Sequence, residues 1–591
     1  MITDFNKIKE RVQKRSKLFW GIEEHQSMDP IIELILDVFS YELSKIHQEI
    51  EVSDGILLER LAKILVKDEW VLPSPSHALL QVQPIEVTNQ LNIKSHFYIQ
   101  KMIQGDHVQT MYFTPIFDFK AIQASVVAKI TKQKCIAYDE NHFVEVELNP
   151  IQKPTVKENS VWIGIKLHPE ILEKEVEIPV CILPQENELT SLFSLINVFD
   201  ADGNKLPFQK RKTSKKSSNE HYFDNINRHY QDYLYTIDTK KHAFKTESIE
   251  EKWSKYFDVE EIEDFAEPLI WLEFQFPIAF ETSYLNNIDI SLNTFPVVNR
   301  KHGYKQHEVK KNGKIISLLA KYQEHFLNVD SLNDDHGRTY DNTMRDGLSN
   351  LEGTYTVFYG DIQRFDKRNA KIILQNVIQK VREEGSAFSA MGYDLLNTYL
   401  DELIQKIDVL DQKIQYEYKS IDADSEQLFL QTIPHKNTAF FECHYWESNG
   451  EWANNIKKNT ILNQYQSSGL QVQSIRLKTS TVGGLLKNRS NDKINSLRYG
   501  LISKDRIVSN EDIKGFLKNI LGKKLSDLEI KSGTMISKDP KKGIVRTVDV
   551  TLKLNNDIML EEENKNRLSH YLTLELAHRS VHQIPYQLKI I

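Results

Sequence analysis

A chain of 591 residues is longer than one hydrophobic core sustains, so roughly three to five domains are expected. Hydrophobic residues at 40% and charged residues at 27% exclude a disordered chain and a membrane-embedded one. The formal net charge of -8 is weak for this length and argues against a dedicated nucleic-acid binder, leaving only a local basic patch to consider.

The opening segment MITDFNKIKERVQKRSKLFW is charged and amphipathic, without the apolar core of a signal peptide. No run of about 18 apolar residues occurs, so no membrane span is expected. Cys135, Cys181 and Cys443 are far apart and odd in number. That pattern fits neither a disulfide framework nor a paired-cysteine metal site, and points to a reducing compartment, the cytoplasm.

Residues 1–72 read as helical. Asp29-Pro30 places a cap residue before a first-turn proline. Ile31, Ile35, Val38, Phe39, Ile46 and Ile50 then fall largely on one face, with Glu42 its single polar member, and Ile32, Leu34, Leu36, Tyr41 and Leu43 widen it. Ser53-Asp54-Gly55 interrupts, and ILLERLAKIL, carrying Leu57 and Leu61, forms the second arm of an αα-hairpin. So much apolar surface needs cover, from the rest of the chain or from another subunit.

In DEWVLPSPSHALLQVQP (68–84) the helix stops. Pro73 and Pro75 bias Leu72 and Ser74 out of the helical region and make a stiff, extended joint. Ala78, Leu80 and Val82 then face one way along a first strand. Trp70 packs where hairpin meets body, or anchors a partner. Residues 76–310 read as a β-rich body: HFYIQKMI and VQTMYFTP flank Gln104-Gly105-Asp106, and AIQASVVAKI, VEVELNP, VWIGIKL, PLIWLEFQFPIAF and NNIDISLNTFPVVN follow. The basic run 209–222, with Lys210, Arg211, Lys212, Lys215 and Lys216, reads as a solvated loop or as a nucleic-acid phosphate patch; it lacks the interleaved aromatics of a stacking surface.

Residues 311–435 are mixed. GTYTVFYG is a strand and AKIILQNVIQKVREEG either strand or helix. A long helix over 386–417 repeats Ala390, Tyr393, Leu396, Leu400, Leu403, Ile407, Leu410 and Ile414 at near-heptad spacing, as in a coiled coil or a packed helix. In 436–591, TAFFECHYWE is a strand with Cys443 and His444 on opposite faces. Ser509 caps a helix with Asp512 three residues on. Strand, turn (KDPKKG), strand and helix follow, as in a small α+β domain. The fold class expected is therefore multidomain α+β: an N-terminal helical hairpin, β-rich middle, long helix and small C-terminal α+β domain.

No P-loop, GxSxG, HExxH, GxGxxG or EF-hand pattern occurs, and no cofactor, metal or catalytic residue is assigned. NDDHGRTYD gathers Asp334, Asp335, His336, Arg338 and Asp341, the one candidate for a hydrolase or phosphotransferase site; the competing reading is a polar turn at Gly337. A long chain without catalytic signature but with over-apolar helices reads as an assembly component, not an enzyme.

Asp29-Pro30 before a long apolar helix, then Pro73-Ser74-Pro75-Ser76 and the strand Ala78 to Pro84, resemble the N-terminal part of the TssF family, baseplate subunits of type VI secretion systems. Asn293, Phe295, Pro296, Val297, Val298 and Asn299 are similar to that family's Asn-x-x-Pro-Val-Val-Asn segment, with Arg300-Lys301 replacing its usual Leu-Phe. Phe113 and Thr114 match a Phe-x-Thr segment whose first strand lacks the common glycine. Ser503, Arg506, Val508, Ser509 and Asp512 resemble the Ser-x-x-Arg-x-Val-Thr-x-x-Asp pattern of baseplate wedge proteins. The departures suggest a divergent branch, such as the systems of Bacteroidetes.

The resemblance implies a non-enzymatic, cytoplasmic wedge subunit in a membrane-docked baseplate. Its partners would be a TssG-like subunit, a second copy of itself, a TssK-like subunit, and sheath-connecting and spike proteins, without nucleic acid or direct membrane insertion. The hairpin, through Ile31, Ile35, Val38, Phe39, Ile46, Ile50, Leu57, Leu61 and Trp70, would enter a bundle shared with TssG. Leu396, Leu400, Leu403 and Ile407 would form the joint between copies.

Overall fold

The computed structural model describes residues 11–16, 36–37, 39–40, 43, 73–103, 107–139, 143–173, 177–184, 187–212, 222–239, 244–258, 268–319, 324–343, 351–359, 427–486, 499–536, 543–555, 562–582 and 584–590. The described chain is strand-rich, with several sheets and fewer helices. It divides into two compact units, residues 1–71 with 489–523, and residues 72–488 with 524–591. The division separates 489–523 from the rest of the C-terminal segment with which the sequence had grouped it.

In the first unit the helix Asn510–Leu521 begins at Ser509, whose hydroxyl accepts from the Asp512 amide while the Asp512 carboxylate accepts from the Ser509 amide. The capping box forms with Asp in place of the longer Glu. Ile513, Phe516, Leu517 and Leu521 are buried, and the Tyr499 ring packs 5.8 Å from Phe516. Ser503 closes the preceding turn by donating to the Tyr499 carbonyl.

The second unit is organised around a six-stranded antiparallel sheet. Its spatial order is Asn463–Gln464, Phe97–Ile103, His107–Pro115, Thr294–Asn299, His77–Gln81 and Arg476–Leu477. Every residue of Thr294–Asn299 is buried, as are Ala78, Leu79 and Leu80. The first strand is thus covered on both faces, not on the one face that Ala78, Leu80 and Val82 suggested, because it lies inside the sheet with core on either side. Pro296 is tolerated in a central strand because it sits just past the end of the ladder with His107–Pro115, whose last pair is Val297 with Pro115. There its carbonyl accepts from the Ile116 amide.

Beside this sheet are an eight-stranded sheet centred on Ser160–Leu167 and Leu269–Gln275, and a four-stranded sheet containing Ile178–Leu183 and Asp289–Leu292. One apolar core, from Ala78 to Leu477 in sequence, joins residues of all three. The strand Phe440–Ser448 lies between Lys301–Glu308 and His325–Asp334, so the strand expected in the C-terminal domain belongs to the body. At the C-terminus, Leu525–Ile536, Ile544–Leu554 and Tyr586–Ile590 form a three-stranded sheet. The helix Glu562–Arg579 packs on it, with the Ser569 hydroxyl donating to the Leu588 carbonyl at 2.6 Å. Among the described residues no helix is long and apolar enough to cross a membrane.

Candidate functional site

The motif strand carries its own set of buried polar groups. Asn293 precedes it at φ 52, a backbone conformation that Asn adopts more readily than most residues. Its side chain accepts from the Ile122 amide at 3.0 Å and donates to the Ile122 and Ala124 carbonyls at 2.7 and 3.3 Å. At the other end Asn299 donates to the Tyr112 carbonyl at 2.9 Å, and accepts from the Asn449 amide at 2.8 Å and the Ser448 hydroxyl at 2.9 Å. The two asparagines therefore bolt Thr294–Asn299 to the junction at 122–124, to the neighbouring strand His107–Pro115 and to Ser448-Asn449.

Arg300 follows, fully buried. Its guanidinium donates to Thr114 Oγ1 at 2.6 Å, the Pro115 carbonyl at 2.9 Å and Tyr222 Oη at 2.8 Å, and lies 4.2 Å from the centroid of the Trp446 ring. The forked cation thus ties together the motif's Thr114, the entrance of the helix Phe223–Tyr230 and the strand Phe440–Ser448. A buried Leu would fill the same space without those bonds. The Arg300 substitution in the motif is accommodated by this local set of acceptors.

A second polar seam lies where the C-terminal helix meets the body. His77 Nδ1 and Tyr230 Oη are 2.9 Å apart, and His229 Nδ1 lies 3.2 Å from Glu575 Oε1. Arg579 pairs with the other oxygen of Glu575. The His77 and His229 rings stand edge to face at 5.1 Å, and Tyr571 lies 5.7 Å from His229. Burial, reinforced by the His229 imidazole, pushes His77 down from 6.5 to about 3. For Glu575, burial works to raise the carboxyl, but Arg579 and the bond from His229 outweigh it and hold it below the usual range. Gly483, at φ +83, lies against His77, and a Cβ there would come 2.4 Å from its Nε2. Sequence reasoning missed this seam. Its members are 77, 229–230 and 571–579, and no spacing pattern links them.

The acidic candidate NDDHGRTYD is a turn held against the segment 438–440. Asp334 Oδ1 accepts from the His336 and Arg338 amides, both at 3.0 Å, and Oδ2 accepts from Arg338 Nε at 2.8 Å and from the hydroxyls of Tyr340 and Thr438, both at 3.3 Å. Burial works to raise its carboxyl, but these bonds prevail and hold it at about 2. Asp335 accepts from the Ala439 amide, and Gly337 turns the loop at φ +74. The Asp334 and Asp335 carboxylates thus hold a polar turn at Gly337 and tie it to Thr438 and Ala439. Among the described residues no group of three or more His, Cys, Asp or Glu could hold a metal ion.

In the basic run, Lys210 pairs with Asp232 at 2.5 Å and Arg211 turns inward, 4.2 Å from the Phe119 ring centroid. Burial lowers the Arg211 guanidinium to about 10. Lys212 is exposed, and Lys215 and Lys216 lie outside the described residues. Cys443 is buried while His444, on the other face, stacks on His302 at 5.2 Å, as alternation required. Of the partner-binding candidates only Phe39 is described; it is helical and 59% exposed. Ile31, Ile35, Val38, Ile46, Ile50, Leu57, Leu61, Trp70, Leu396, Leu400, Leu403 and Ile407 lie outside the described residues, as does the long helix expected at 386–417.

No family model matches the chain, and no curated protein matches it. Among solved structures it is similar to a chain of the type VI secretion system TssK-TssF-TssG baseplate subcomplex, at 11% identity and a TM-score of 0.43, over 95% of this chain and 96% of that one. It is also similar to a chain of the baseplate complex from the type VI secretion system, at 10% identity and a TM-score of 0.33, over 100% of this chain and 97% of that one.

Proposed function

We propose that this chain is a structural subunit of a type VI secretion baseplate, a TssF-like wedge component that carries no catalytic site. The observation that carries the reading is the use made of the matched residues. Asn293 and Asn299 bolt down the fully buried strand between them, Thr114 receives Arg300, and Ser509 with Asp512 caps its helix. These positions build a framework and do not line an open polar cleft, which is what a load-transmitting scaffold requires. The Asp334 turn favours no enzymatic alternative, because the carboxylates of Asp334 and Asp335 are already engaged. The inward-facing Arg211 likewise removes one cation from the basic run.

In this reading the apolar face from Ile31 to Ile50, with Leu57, Leu61 and Trp70, meets a TssG-like subunit. Leu396, Leu400, Leu403 and Ile407 meet a second copy of the chain, and a TssK-like subunit completes the cytoplasmic, membrane-docked complex. Pro73 and Pro75 form the rigid joint between hairpin and body. Co-expression with the TssG-like subunit from the same source should yield a stable complex, whereas the chain expressed alone should aggregate. A monodisperse monomer that does not bind that subunit would overturn the proposal.

A further inference from the structure

The C-terminal segment folds back onto the body through a seam of ionisable side chains. None of the three large apolar core clusters includes a described residue beyond Leu477. The C-terminal sheet and helix bury their own small set, Val550, Leu552, Leu572 and Leu576. What the helix Glu562–Arg579 presents to the body is instead ionisable: Tyr571, Glu575, His578 and Arg579, with His570 nearby. The body answers with His77 from the first strand, His229 and Tyr230 from the helix Phe223–Tyr230, Asp232 just beyond it, and Thr479 and Gly483 from the loop alongside.

We propose that this module is an acid-released latch: a proton taken up by the enclosed His77 imidazole undocks the helix Glu562–Arg579 from the body while the body's sheets stay folded. His77 is 5% exposed, with the His229 ring at 5.1 Å, the Tyr571 ring at 6.1 Å and Gly483 closed over its edge. A charge there is cut off from solvent, and among the described residues no carboxylate bonds it directly, because Glu575 is already taken by His229 and Arg579. Opening the seam solvates it.

The sign is the same for every resolved group that changes charge between neutrality and acid. His77 is depressed, so docking is fully favoured above 6.5 and weakens as pH falls from 6.5 toward about 3. His578 and His570 are also depressed by burial and act in the same direction. Glu575 is depressed, so its contribution is lost only below the normal carboxylate range. Tyr230 and Tyr571 are raised by burial and stay neutral throughout.

Hydrogen exchange on the full chain tests this, with rates corrected for intrinsic exchange. Between about pH 7.5 and about pH 5, the proton on His77 alone should raise opening of residues 566–578 by about thirty-fold, at about tenfold per pH unit below 6.5, with His570 and His578 adding a few-fold more. The strands Ser160–Leu167 and Leu269–Gln275 should keep their protection. A flat profile across that range, or equal loss in those body strands, overturns the latch. In His77→Gln, which cannot charge, the pH-dependent rise should collapse to a few-fold; the full thirty-fold rise in that variant overturns the role of His77. The wild-type profile decides the matter even where the variant fails to fold.

Discussion

The two buried polar seams of the second unit hold their neighbours by different chemistry. Around Asn293–Arg300 the partners are amides, carbonyls, hydroxyls and one permanently charged guanidinium, none of which changes charge near neutrality. Around Glu575 the partners are imidazoles, a carboxylate and phenols. The first seam lies within the large apolar core, and the second lies at its edge, where Tyr230 of that core meets the C-terminal helix. Similar burial therefore yields a seam indifferent to pH in one place and a pH-sensitive one in the other. The difference lies in which side chains face inward, not in how deeply they sit.

The largest effect should come from the first seam. Trp446→Ala removes a fully buried ring and the platform under Arg300, and should cost about 4 kcal/mol, read as a global shift of the urea midpoint. Glu575→Gln leaves Arg579 beside a neutral amide and should cost about 3 kcal/mol. That loss should appear as faster exchange across 562–590 with the body's midpoint unchanged; a global loss would erase the contrast between the seams. Asn293→Ala removes three hydrogen bonds at a positive φ and should cost about 2 kcal/mol, independent of pH. Asn293→Gly relieves the backbone alone and should recover only a fraction of that. Asp334→Asn is the mildest, about 1 kcal/mol at neutral pH. Because Asp334 is held at about 2, the wild-type advantage should persist above the ordinary carboxylate value of 3.8 and fade as pH falls toward 2, measured as converging melting temperatures.

Much of the local structure was legible in advance. Alternating apolar runs located strands such as Ser160–Leu167 and Leu269–Gln275, and Ser509 with Asp512 announced a capped helix. The Asp-rich turn was readable at Gly337, and the opposed faces of Cys443 and His444 followed from strand period. The pairing of those strands was not legible. His77–Gln81 lies between strands more than two hundred and nearly four hundred residues away in sequence, and nothing in HALLQ encodes either neighbour.

The sequence by itself determined where strands, caps and turns form, because hydrophobic period, β-branching and short polar side chains act within a few residues. It also carried the motifs on which the baseplate reading rests. Tertiary structure alone decided that Arg300 would be a buried tie with Thr114 and Tyr222, and that His77, His229 and Glu575 would meet. The electrostatics of such groups depend on burial and on neighbours hundreds of residues away, and neither exists until the chain has closed on itself.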